Sequence, residues 1–117
     1  MIQFKSGVPV YLYRSVVDFR KQINGLSLIV QECMELDAFS ESFFVFVNRT
    51  RTRIKILYWQ RNGFCLWMKR LERDKFAWPK RLQSDVIDIS TEELHWLLEG
   101  FDIWQKPPHQ RLHFSSV

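Results

Sequence analysis

Arg49, Arg51, Arg53 and Lys55 recur at every second position, and in an extended chain that spacing sends four cationic side chains to one face. Cations grouped in this way match the closely spaced phosphates of a nucleic-acid backbone and release its counterions on binding. The charge is regional. Between residues 49 and 81, eleven Lys/Arg stand against two acids, a balance of +9, while residues 1–48 carry −1 and residues 82–117 carry −4, within a chain of net +4. So much like charge repels itself unless an anionic partner compensates it, and the bland alternative is a solvated charged face. A turn after the first strand would break the alternation at Arg49 and Arg51, which leaves Arg53 and Lys55 as the secure pair.

Other chemistries have little to work with. His109 and His113 stand four apart but follow Pro107-Pro108, with no Cys or acidic ligand close in sequence, so no metal site is expected. Glycine-rich phosphate loops, GxSxG and HExxH are absent from the sequence. The carboxylates fall mostly on expected helix surfaces (Glu32, Glu35, Glu92, Glu93, Glu99) or in turns (Asp37, Asp85), with no spacing that gathers Asp18, Asp88 and Asp102 around Mg²⁺. No catalytic residue and no cofactor is expected. Cys33 and Cys65 read as two buried thiols in a reducing compartment.

The elements that must hold the cations change period along the chain. Val10–Tyr13 is a short β-like run whose edge is exposed, which leaves a dimer open. Val16, Phe19, Ile23, Leu26, Val30 and Met34 form one stripe of an amphipathic helix over residues 16–36, capped at Ser15, or of two short helices broken at Asn24-Gly25. Phe43–Asn48, Arg53–Gln60 and Phe64–Leu71 then read as a three-stranded antiparallel meander over residues 43–71. With Asn62-Gly63 as the hairpin loop, Lys55 faces Arg70 and Arg61 faces Phe64. Arg70 then joins the Arg53–Lys55 face and Lys69 points to the other. Phe76-Ala77-Trp78 suggests a short edge strand ended by Pro79, and Val86–Ile89 another apolar run. Ser90 with Glu93 forms a capping box for a helix ending at Gly100.

These pieces predict one α+β domain over residues 1–117, an antiparallel sheet packed with an N-terminal helical segment and a C-terminal helix. The longest apolar runs, Phe43–Val47 and Phe64–Met68, fall far short of the ~20 residues that cross a bilayer, and no signal peptide is visible; a soluble, cytoplasmic protein is expected. The candidate nucleic-acid-binding residues are Arg49, Arg51, Arg53, Lys55, Lys69, Arg70 and Arg73. Tyr58, Trp59 and Trp67 read first as core, with stacking on unpaired bases as the alternative.

Arg53 to Pro79 (RIKILYWQRNGFCLWMKRLERDKFAWP) resembles the signature block of the accessory protein called TnpB, or second open reading frame protein, of IS66-type insertion sequences. Within it, Ile54–Trp59, Asn62-Gly63-Phe64, Lys69–Glu72 and Phe76–Pro79 match in order. Asp18-Phe19-Arg20-Lys21 with Gly25-Leu26, Phe43–Phe46, and Leu97–Asp102 agree on the flanks. Gln22, Gln60 and Asp74 depart from the family pattern at turns. The resemblance implies a non-catalytic partner of a large transposase and a further accessory protein, assisting transposition. It is distinct from the longer RNA-guided nuclease that shares the TnpB label. DNA is the expected nucleic acid, with docking on the transposase alone as the alternative.

Overall fold

The protein is described by a computed structural model covering residues 4–80 and 84–105. Five strands form one sheet: β1 (Val10–Tyr13), β2 (Phe43–Val47), β3 (Arg53–Gln60), β4 (Gly63–Arg70) and β5 (Val86–Ile89), in the spatial order β4-β3-β2-β1-β5. Helix α1 (Ile23–Glu32) crosses between β1 and β2, and α2 (Thr91–Leu98) follows β5.

Alternation on the strands sorts the core into two layers. Val10, Leu12, Val45, Val47, Ile54 and Ile56 face α2, whose Leu94, Leu97 and Leu98 meet them. Phe44, Phe46 and Leu57 face the other way, onto Leu26, Val30 and Met34 of α1. Every residue of β2 is buried because helices cover it on both sides. Each fully buried Leu, Ile or Phe contributes ~1.5–3 kcal/mol relative to exposure.

The α+β expectation holds, with four corrections. The sheet is mixed: β1 runs parallel to β2 and antiparallel to β5, so the strand expected at an open edge lies inside, hydrogen-bonded on both sides. The β3–β4 loop is Arg61-Asn62 rather than Asn62-Gly63. Asn62 N–H donates to the Gln60 carbonyl at 2.6 Å around an Arg61 with φ 56°, so Gln60 pairs with Gly63 and Lys55 with Met68, not Arg70. Each strand shifts by one residue, and so Arg53, Lys55 and Arg70 still share one face while Lys69 takes the other. Residues 16–22 are not helical, and α1 starts at Ile23 with no side-chain cap from Gln22. Finally, Phe76–Trp78 is a buried strap without strand pairing: Phe76 N–H donates to the Arg51 carbonyl, and Trp78 Nε1–H donates to the Arg14 carbonyl at 2.8 Å.

The C-terminal helix matches its punctuation. Ser90 Oγ accepts from Glu93 N–H and the Glu93 carboxylate accepts from Ser90 N–H, the two halves of the expected box. Gly100, at φ 99°, closes the other end, where Gly100 N–H reaches the Leu97 carbonyl and Phe101 N–H reaches that of Trp96. Both cysteines are free; Cys33 is exposed and Cys65 half-buried, so the buried pair expected from sequence does not form. No helix among the described residues is long and apolar enough to cross a membrane.

Candidate nucleic-acid interface

The β2–β3 connection is built around one side chain. Asn48 Oδ1 accepts from both Thr52 N–H and Arg53 N–H at 3.0 Å, and its Nδ2 donates to Thr50 Oγ1. Its carbonyl accepts from Arg51 N–H, closing a turn that Arg51 leaves in the left-handed region (φ 62°). Arg49 and Thr50 are therefore pushed out as the exposed tip of the turn. The two-residue repeat ends there, and Arg49, Arg51 and Arg53 do not share a face.

A second loop docks against this turn. Leu71 N–H donates to the Thr52 carbonyl at 2.8 Å and Phe76 N–H to that of Arg51 at 2.7 Å, so residues 72–75 are anchored at both ends while their side chains stay exposed. Arg73 and Lys75 thereby join the same end of the sheet. On the α1 side, Val17 N–H donates to the Val47 carbonyl and ties the segment 16–22 to the same edge. This end holds Arg20, Lys21, Arg49, Arg51, Arg53, Arg70, Arg73 and Lys75 against Asp18, Glu72 and Asp74, eight cations less three acids, or +5.

The seven residues predicted from sequence divide here. Arg49, Arg53 and Arg73 are exposed and form no ion pair among the described residues. Arg70 is exposed and bonds to Glu72 at 2.8 Å, a surface pair worth ~0–1 kcal/mol that a phosphate can displace. Arg51 is half-buried, with an Nε shielded from solvent that has no hydrogen-bond partner among the described residues.

Lys55 and Lys69 are corrections. Lys55 is only 5% exposed. Its ammonium donates to the carbonyls of Phe19 and Lys21 at 2.9 and 3.0 Å and lies 4.8 Å from the centre of the Phe19 ring. Burial, and then the Arg53 charge, push its pKa down. It holds the 16–22 segment and cannot reach a polyanion. Lys69, on the α2 side, donates to the Leu98 carbonyl at 2.8 Å and sits 3.9 Å from Glu99, serving the C-terminus of α2.

Sequence reasoning missed Arg20, which joins the cationic end through that segment. Asp18 accepts from its guanidinium at 2.6 Å and from its backbone N–H at 2.9 Å, and those bonds hold the carboxyl down at about 2. The DFRK run carried the signal, but a helical reading of residues 16–36 pointed those side chains elsewhere. Tyr58 and Trp67 pack against the α2-side core, as expected for core aromatics. Trp59 forms a closed trio with Phe39 and Phe64, ring centres 5.0–5.2 Å apart, at the far end of the β3–β4 hairpin. No group of three His, Cys, Asp or Glu able to hold a metal occurs among the described residues; His109 and His113 lie outside them.

The family model described as IS66 Orf2 like protein matches residues 8–108. Among curated proteins, the uncharacterized protein y4hO of Sinorhizobium fredii is 34% identical over 107 residues, covering 92% of this chain and 91% of its own length. The uncharacterized protein y4jC of the same organism is 31% identical over 102 residues, 87% of this chain and 86% of its own. No solved structure gives a significant match.

Proposed function

Because this chain belongs to the IS66 Orf2-like family, a family of insertion-sequence accessory proteins, we propose that it assists transposition without catalysing a step and contacts DNA through the cationic end of its sheet. The observation that carries this reading is the set of exposed arginines at the β2–β3 turn and the adjoining 72–75 loop, of which Arg49, Arg53 and Arg73 have no carboxylate partner among the described residues. Two short backbone hydrogen bonds clamp turn and loop together, so the backbone that carries these charges is fixed before any ligand arrives. Coulombic attraction of this kind is sequence-independent and speeds encounter more than it selects a site. Arg70, Arg51 and Lys75 complete the surface in this reading, and Lys55 and Lys69 have no part in it.

The test is fluorescence anisotropy with duplex DNA from an insertion-sequence end and of random sequence, at several salt concentrations. Contact with roughly four phosphates gives a slope of log affinity on log salt near −3.6. Replacing Arg49, Arg53 and Arg73 by Ala removes about three of them and flattens the slope by ~2.7. An unchanged slope overturns the assignment.

A second reading has one observation behind it. Trp96 and Phe101, 46% and 63% exposed, lie together where α2 ends, and large exposed aromatics are favoured anchors in protein interfaces. In that reading the protein is an adaptor that docks on the transposase or on another accessory protein. Capture of the transposase that survives nuclease treatment, with no DNA binding at low salt, favours it over the first.

A further inference from the structure

Between the 16–20 segment and the β2–β3 turn lies an open groove of about 500 Å³. Arg20, Arg49 and Arg53 line it together with an apolar floor of Val16, Val17 and Phe19. We infer that this groove takes one unpaired nucleotide of a single strand, its phosphate on Arg49 and Arg53 and its base against Val16. The inference rests on the proposed nucleic-acid role and names the form of DNA that this part of the surface selects.

Three features carry it. The first is amphipathic lining. Val16 keeps 45% of its surface exposed although it borders two arginines that lack carboxylate partners among the described residues. A duplex turns its bases inward and offers such a recess only phosphate and sugar. An unpaired nucleotide brings an apolar face and its own phosphate to the same place. The second is size, since the volume lies in the ~300–1,000 Å³ range of small-ligand clefts, more than a lone phosphate needs.

The third is rigidity. Lys55 pins one wall through the Phe19 and Lys21 carbonyls, and Val17 N–H pins it again to Val47. The Asn48 network fixes the other wall. Asp18, the one acid lining the groove among the described residues, is already engaged by Arg20.

The experiment compares binding of a labelled oligo(dT) of about 12 nucleotides, within the ~4–16-nucleotide footprint of strand-binding grooves, with that of a blunt duplex of similar charge. The proteins are the full chain, Val16→Asn and Val16→Leu. Asn removes the apolar contact without adding charge, and Leu keeps it; the side chain is exposed enough that neither disturbs the core, which a thermal melt checks. The expected result is tighter binding of the oligo(dT) than of the duplex. Val16→Asn should weaken the single strand about fivefold, the effect of losing a small aliphatic contact, with little change for the duplex, and Val16→Leu should retain wild-type affinity. Equal weakening of both ligands, no weakening of either, or a preference for duplex overturns the groove while leaving the cationic end intact as a DNA contact. Failure of both ligands to bind at low salt overturns the groove and the proposed function together.

Discussion

Replacing Lys55 by Met tests whether a buried cation holds the 16–22 segment against the sheet. In the wild type its ammonium makes two hydrogen bonds to backbone carbonyls, at 2.9 and 3.0 Å, and a cation–π contact at 4.8 Å. Charge-assisted bonds contribute ~1.5–3 kcal/mol each and the ring contact ~0.5–2 kcal/mol. Against them stands the desolvation of an ammonium, itself several kcal/mol. Met keeps most of the length and an apolar stem, one atom shorter, but leaves both carbonyls without this donor. Phe19 is half-buried and Lys21 exposed, so water partly replaces the ammonium. A net loss of ~2 kcal/mol follows. Lys55→Ala loses the stem as well, and about three methylenes at ~0.8 kcal/mol each bring its cost to ~4 kcal/mol.

Urea denaturation followed by Trp fluorescence reads both values. The pH dependence adds a sign. The folded pKa of Lys55 is depressed below its ordinary 10.5, so between the two values the unfolded chain binds a proton that the folded chain does not. The burden of burying the charge is full below the folded pKa and lifts as pH rises toward 10.5. The wild type therefore gains stability over that window relative to Lys55→Met, and the difference between them is larger near pH 10 than near pH 7. A Met variant within ~0.5 kcal/mol of wild type, or a difference that shrinks as pH rises, would refute the keystone role. Because Lys55 is not on the ligand-facing surface, the salt slope of duplex DNA binding should be unaffected by the substitution.

Further outcomes are expected elsewhere. Ser90→Ala removes one half of the capping box on α2 and should cost ~1 kcal/mol in the same denaturation assay. Arg61→Gly relieves a left-handed residue at the β3–β4 turn and should stabilise by up to ~1 kcal/mol, whereas Gly100→Ala, forced to φ 99°, should destabilise by about that much or more. NMR titration should find Asp18 ionising at about 2, and Arg20→Ala should return it toward its ordinary 3.8.

The elements that sequence made legible are those written in local chemistry. Phe43–Val47 is continuous β-branched and aromatic sequence, and it forms a strand buried on both faces. Ser90, Glu93 and Gly100 mark the ends of α2 through contacts a few residues apart. The hairpin loop moved by one position because an Asn-Gly pair is a preference and not a requirement; Arg61 adopts the positive φ, while Gly63 begins β4. Residues 16–22 carried helical spacing, yet Lys55, more than thirty positions away, takes the Phe19 and Lys21 carbonyls, and the segment runs non-helical with a turn at residues 19–20. For the cationic end, the alternation of Arg49 to Lys55 showed the charge but not its direction. Asn48 turns Arg49 outward, and the cover supplied by residues 19–21 turns Lys55 into interior structure. Nothing near β1 in sequence announced that it would sit between two strands, since one of its partners, β5, begins more than seventy residues later.

That last pairing sets a schedule for a chain emerging from the ribosome. The β2–β3–β4 meander can zip up as soon as it clears the exit tunnel, and β1 can lie down beside β2, but one flank of β1 stays bare until Val86–Ile89 has been synthesised. A product cut short by a stop codon before that point would carry an uncovered strand with Val10 and Leu12 at its edge and would lack the α2 leucines that roof them. Such a fragment offers a template for sticking to its own kind. Premature termination should therefore yield insoluble material and not a smaller working version.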